Sequence, residues 1–166
     1  MFVTPLLFAI VATLAWQETS ATNVLPCKLR KGHNVDVRSV KISGCEKYPC
    51  KLKRKTTVHV EMDFVPNLNI EPGNLRANVH ALIVGVNVPF FEIDGKDVCQ
   101  KVFKEKDGSM SKVGCPLQKG QKYVYKDSFH VHNIYPKIKT SVHWQLSEGR
   151  SSTPVGCFNV PIQITD

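Results

Sequence analysis

Six cysteines, six histidines and a short cluster of carboxylates are the residues of this chain with chemistry to offer. The thiols Cys27, Cys45, Cys50, Cys99, Cys115 and Cys157 could act as nucleophiles, hold a metal or close as disulfides. Neither the four residues between Cys45 and Cys50 nor the wide gap from Cys99 to Cys115 makes the paired short knuckles of a structural zinc site. An even count in an oxidising route reads instead as three disulfides. Six cysteines allow about 15 pairings; spacing favours only Cys45 with Cys50, which would close a tight loop around Pro49.

His59, His80, His130, His132 and His143 alternate with apolar neighbours, which places most of them on solvated strand faces. His130 and His132, two residues apart, would share a face and could offer a metal two imidazoles, but no third ligand adjoins them. Glu92, Asp94 and Asp97 fall in a turn-rich stretch before Cys99, where nothing sets a spacing for paired acid and base work. No G-x-S-x-G, H-E-x-x-H, G-x-G-x-x-G or phosphate-loop pattern occurs. These residues predict no catalytic group, no metal and no cofactor, and therefore a protein that is not an enzyme.

The elements that carry them are strands. Val58, Val60, Met62 and Phe64 alternate with His59, Glu61 and Asp63, the period of a half-buried strand. The same period recurs at Tyr123, Tyr125, Phe129 and Val131, at Ile138, Val142, Trp144 and Leu146, and at Phe158, Val160, Ile162 and Ile164. Two weaker runs are Val35 to Ile42, which slips by one near Ser39 as a bulge would make it, and the long apolar stretch Leu75 to Val88. Turn pairs such as Pro72-Gly73, Asp107-Gly108 and Lys119-Gly120 separate the runs. The expected fold is all-β, an immunoglobulin-like β-sandwich of about seven strands in two sheets. Pro161 interrupts the last run, so that strand is expected at an edge or with a bulge there.

Ahead of the first cysteine, Pro5 to Trp16 is nearly all apolar and is followed by Gln17-Glu18-Thr19-Ser20-Ala21. A run of about a dozen residues is too short for a bilayer, which needs about 20, and reads as a signal peptide. We expect cleavage near Ala21, a signal peptide over 1–21 and one domain over 22–166. Of 22 Lys and Arg and 14 Asp and Glu, only Glu18 lies in the first 21 residues, so the mature chain carries 22 − 13 = +9. The basic residues crowd at Lys28, Arg30 and Lys31, at Lys51, Lys53, Arg54 and Lys55, and at Lys101, Lys104 and Lys106. Such a face would be drawn to an anionic membrane, at about 1 kcal/mol per basic residue near the surface. Nucleic acid is excluded by the secretory route and by the lack of aromatics interleaved with the lysines.

Three segments carry more than a fold class: VHALIVGVNVPF from Val79, CPLQKGQKYVYKDSFHVHNIYPKIKTSVHWQL from Cys115, and CFNVPIQI from Cys157. Together they resemble the ML (lipid-recognition) domain family, most nearly its soluble Niemann-Pick type C sterol-carrier branch, also called epididymal secretory protein, in an arthropod-like form. The resemblance spans essentially the whole mature chain. It implies the pairings Cys27 with Cys157, Cys45 with Cys50, and Cys99 with Cys115. It also implies a sterol or fatty-acid ligand in a hydrophobic pocket between the sheets, with Phe90, Val131 and Tyr135 at the mouth. Phe64, Val86, Tyr123 and Trp144 are the expected interior lining. Truncating Phe90 or Tyr135 is then expected to weaken binding while leaving unfolding little altered. The implied partners are a membrane or a lipid-accepting receptor, the expected state is a monomer, and a semiochemical carrier or a glycolipid-recognition module is the other role known for relatives. Two features depart from the branch. The 15 residues between Cys99 and Cys115 form a longer stretch than in vertebrate carriers, expected to reshape a loop near the mouth. No N-x-S/T site occurs, so glycan-directed sorting to the lysosomal lumen is less expected than secretion.

Overall fold

The computed structural model describes residues 21–166, so the expected signal peptide lies almost wholly outside the described residues. Eleven strands and one short 3-10 turn, Cys99–Lys101, follow in order: β1 Leu25–Pro26, β2 Asp36–Ile42, β3 Cys50–Lys53, β4 Thr57–Val65, β5 Leu75–Ile83, β6 Val86–Pro89, β7 Val102–Lys106, β8 Ser109–Lys112, β9 Tyr123–His130, β10 Lys139–Glu148 and β11 Pro154–Thr165. They form two sheets. One has the order β1-β11-β10-β5-β6 with β3 also on β11, and the other runs β2-β4-β9-β7-β8. All pairings are antiparallel except β3 on β11.

The long strands are where period two placed them, because alternate apolar side chains turn into the space between the sheets. In β4, Val58, Val60, Met62 and Phe64 are all buried. The slip near Ser39 is a bulge, with the β2–β4 register shifting between Val37 and Ser39. The count exceeds seven because β1, β3, β6, β7 and β8 hold two to five residues each, too few to show a period. Pro161 pairs with Ser141 of β10 on one side and stands at a local free edge on the other. It is tolerated because the other side of β11 is uncovered there: β1 reaches only Asn159 and Phe158, and β3 begins at Ile162.

Leu75 to Val88 is a hairpin turning at Val84 and Gly85, with φ of 49° and 79°. Two left-handed residues suit the twist of a two-residue β-turn, although Val84 is a β-branched residue in that region and is 97% exposed. The stretch after Cys99 is likewise a hairpin, β7–β8, turning at Asp107-Gly108 with φ of 53° and 74°. It joins its sheet through Val102 opposite Tyr125 and Phe103 opposite Val124. Tyr125 is six residues along the chain from Val131, on the order of 20 Å in an extended strand. The disulfides are Cys27–Cys157, Cys45–Cys50 and Cys99–Cys115, the pairings the resemblance implied.

The two sheets are not equally close everywhere. A Cβ on Gly156 of β11 would stand 3.3 Å from Met62 Cε and 3.5 Å from Phe64 Cβ on β4, so the backbone there approaches the facing sheet closely and a side chain could enter only if the flexible end of Met62 gave way. Toward the other end of β9 the space is filled by aromatic rings, and the mouth residues lie there.

Candidate functional site

Phe90 follows β6 and is buried, its N–H donating to Val79 O at 2.9 Å and its carbonyl accepting from Ile93 and Asp94. Val131 follows β9 and is also buried, tied by its N–H to Thr56 O at 2.9 Å and by its carbonyl to Lys55 N at 2.7 Å. Tyr135 is half-buried in the next turn and packs on the core. Its ring meets Phe90 edge to face at 5.9 Å, and Phe90 meets Phe129 in the same way at 5.4 Å. Phe129 in turn lies 6.1 Å from Trp144, which stacks on Phe158 at 6.2 Å and tilts against Tyr125 at 6.3 Å. A file of rings thus runs from the surface at Tyr135 to the middle of the sandwich, drawing on both sheets. Such ring pairs sit at the separations aromatic quadrupoles favour.

Of the other expected lining residues, Trp144, Phe64 and Tyr123 are buried, with Phe64 and Tyr123 paired at 6.3 Å. Val86 is a correction. It is 62% exposed on the edge strand β6 and lines no interior, because the apolar run it belongs to bends at Val84-Gly85 instead of continuing inward. Phe129 and Phe158 belong to the file and were not among the expected lining; their place on the same alternating faces as Val131 and Val160 was the signal. Phe90 also departs from expectation, since a ring buried between two others is part of the core and its loss must cost stability.

The turn carrying Tyr135 is held by charged residues. Arg54 donates through Nη1 to the carbonyls of Asn133 at 3.1 Å and Tyr135 at 3.5 Å, and through Nε to Asp166 Oδ1 at 2.9 Å. Lys137 Nζ lies 2.5 Å from Asp166 Oδ2. Hydrogen bonds from Lys137 and then Arg54 hold the Asp166 carboxyl down to about 2. A depressed carboxylate ties the folded chain above its ordinary range, and the tie is lost as pH falls through about 2. We expect an NMR titration of the Asp166 carboxyl to show that midpoint in the native protein, and Arg54→Ala or Lys137→Ala to move it up toward 3.8. An unshifted midpoint in both variants would contradict the tie.

Glu92, expected in a featureless loop, reaches the same corner. His132 Nε2 lies 2.6 Å from its Oε1, and the His130 N–H donates to its Oε2 at 3.3 Å. Those two hydrogen bonds, His132 first, lower the Glu92 carboxyl. The His132 ring meets Tyr135 edge-on at 5.6 Å, and burial, followed by the Glu92 charge, raises the Tyr135 phenol. Asp94 and Asp97 brace backbone, accepting from Val79 N at 2.7 Å and Cys99 N at 2.9 Å. Among the described residues, the His, Cys and carboxylate ligands close enough together for a metal are those of Cys27, His143 and Cys157, whose sulfurs are bonded to each other.

Of the buried polar residues Thr22, Asp127, Ser147 and Glu148, Asp127 of β9 is the one that adjoins the rings. Its carboxylate is buried, accepts from Tyr125 O–H at 2.5 Å and from Ser128 N–H at 2.7 Å, and pairs with Lys101. The indole N–H of buried Trp144 is directed at the Tyr125 phenol oxygen, which is free to accept because its own proton goes to Asp127. Clefts of about 1100, 460 and 310 Å³ all lie on the outside of the molecule, and none of Phe90, Val131, Tyr135 or Trp144 lines them. The largest of the three is bordered by Lys41, Lys47, Tyr48, Glu61 and Lys126 and lies away from the file of rings. Between the sheets the walls meet ring against ring.

Comparison with known proteins places this geometry. The ML domain family model matches residues 21–164. NPC intracellular cholesterol transporter 2 of Bos taurus is 30% identical over 128 residues, 77% of this chain and 76% of that one. Its homolog a from Drosophila melanogaster is 32% identical over 127 residues, 75% and 77% of the two chains. Mite group 2 allergen Tyr p 2 of Tyrophagus putrescentiae is 31% identical over 158 residues, 95% and 96% of the two. The crystal structure of a Niemann-Pick type C2 protein from Japanese carpenter ant superposes with a TM-score of 0.65 at 26% identity, covering 81% of this chain and 96% of that one.

Proposed function

The chain belongs to the ML domain family, and on that premise we propose that it is a secreted lipid carrier, holding a sterol or fatty acid between its two sheets and passing it to a membrane or a lipid-accepting receptor. The observation that supports this most is the file of rings from Tyr135 through Phe90 and Phe129 to Trp144, which leads an apolar guest from the surface inward. Relatives named as cholesterol transporters agree with it.

The energetics suffice without a charged partner. A guest burying roughly 400 Å² of apolar surface gains on the order of 10 kcal/mol at about 25 cal/mol per Å², from which ordering costs are subtracted. The guest must also replace contacts the rings now make with one another, since tightly packed walls surrender dispersion energy when they part. Parting is easiest at the Tyr135 end, because Gly156 holds the sheets close at the other. No covalent step is needed.

Three disulfides suit an oxidising compartment, in line with the secretion expected from the N-terminal residues. The basic surface is thinner than charge alone suggested, because Lys101 is paired with buried Asp127 and Arg54 with Asp166 and the mouth turn. Lys51, Lys53 and Lys55 remain exposed beside that turn and are the residues we assign to contact with anionic lipid. Lipid transfer by a monomer requires nothing further.

Tyr135→Ala tests the mouth. The ring is half-buried, so the variant should unfold within about 3 °C of the parent, while its affinity for cholesterol falls by roughly tenfold. Unchanged affinity with a lowered melting temperature would assign Tyr135 to packing and remove it from the site.

A further inference from the structure

The two sides of the mouth belong to different sheets. Phe90 opens a segment that stays on β5, with Phe90 N–H on Val79 O, Gly95 N–H on Ala77 O and the Asp94 carboxylate accepting from Val79 N–H. Val131 and Tyr135 follow β9, whose last residue, His130, pairs with Thr57 of β4 in the other sheet. Inside, the two sides meet through the rings of Phe90, Phe129 and Tyr135. They meet a second time through Glu92, two residues after Phe90. Its Oε1 lies 2.6 Å from Nε2 of His132, the residue after Val131, and its Oε2 accepts from the His130 N–H at 3.3 Å. Among the described residues, these two are the hydrogen bonds that join segment 90–95 to segment 130–135. The same bonds, His132 first, lower the Glu92 carboxyl, so it is ionised and able to hold both partners across the neutral range.

Resting on the carrier reading, we propose that Glu92 is the latch of the mouth, a gating residue that releases His130 and His132 each time a guest enters or leaves. A guest as wide as a sterol cannot pass between Phe90 and Tyr135 while the two segments stay joined, because those rings already meet edge to face. Once the guest is inside, the carboxylate closes again over the exposed end. A bond made before and after passage but broken during it raises the barrier in both directions and leaves the affinity unchanged. His132 and Glu92 are 41% and 47% exposed, so the latch has the modest strength of a surface pair. It therefore slows exchange by about three- to fivefold, not by orders of magnitude.

Exchange of dehydroergosterol, a fluorescent sterol, on the whole protein tests this. Stopped-flow uptake, and release to a cyclodextrin acceptor, give the two rates, and their ratio gives Kd. Glu92→Ala should raise both rates about three- to fivefold and leave Kd within about twofold of the parent. Glu92→Gln keeps an oxygen for the His130 N–H but loses the charge, and should fall between parent and alanine variant; it reads the latch even where the alanine variant loses stability. Rates that stay at the parent values in both variants would overturn the latch. A weaker Kd carried by faster release alone would make Glu92 a contact of the bound guest and overturn the latch as well. Either result leaves the carrier reading standing, whereas a parent protein that takes up no dehydroergosterol overturns that reading and this inference with it.

Discussion

Replacing Cys27 and Cys157 together by serine should lower the stability of the domain by about 5 kcal/mol, the largest stability loss any pair of cysteines can produce here. The bond closes a sequence separation of 130, against 16 for Cys99–Cys115 and 5 for Cys45–Cys50. In the chain-entropy account a cross-link excludes unfolded conformations in proportion to the logarithm of its loop, giving about 5, 3 and 2 kcal/mol in that order. The Cys27–Cys157 bond also anchors β1, a strand of two residues whose ladder to β11 is only Leu25 opposite Asn159 and Pro26 opposite Phe158. For a domain of this size 1 kcal/mol is worth about 2–4 °C, so the melting temperature should fall by roughly 10–20 °C. Urea unfolding of the three double-serine variants measures the order. A larger loss for Cys45–Cys50 than for Cys27–Cys157 would refute the loop-length account.

Phe90→Ala should damage both the fold and the site. The ring is 8% exposed and touches Phe129 and Tyr135, so its removal opens a cavity at a point where the walls already meet. Truncations of this kind cost about 3–5 kcal/mol. If the ring also bears on the guest, affinity for cholesterol per folded molecule should fall by more than the roughly tenfold expected for Tyr135→Ala. Phe90→Leu separates the two roles. It keeps most of the apolar volume and should cost the fold less than the alanine variant does, while losing the edge-to-face contacts that join Tyr135 to Phe129. Denaturation together with cholesterol binding on both variants distinguishes the cases; full affinity in the folded fraction of Phe90→Ala would make Phe90 a core residue only.

Period two made the long strands β2, β4, β9, β10 and β11 legible, because each buries one face and the pattern is long enough to repeat. It also placed the bulge near Ser39, where a slip of one residue changes which side chains face inward. It said nothing of β3, whose four residues lie parallel to β11, since a pattern of faces does not name a partner. Val86 was misplaced for a related reason: an apolar run reads the same whether it continues or doubles back, and Val84, a residue that disfavours positive φ, gave no sign of the turn it makes. The mouth residues Phe90, Val131 and Tyr135 became readable only through the resemblance to relatives, as alternation cannot tell a ligand wall from ordinary core. What fastens that mouth, Arg54 on the carbonyls of Asn133 and Tyr135, joins residues about 80 apart in the chain. The buried cluster at Asp127 was equally hidden, because Asp127 and Trp144 stand on different sheets and their meeting depends on how those sheets pack.

Native mass spectrometry of the protein after exposure to cholesterol-bearing vesicles tests the carrier directly. One lipid per polypeptide, released chemically unchanged on denaturation, is the result the account predicts. A folded protein that remains at the bare polypeptide mass, having taken up neither sterol nor fatty acid, would contradict it.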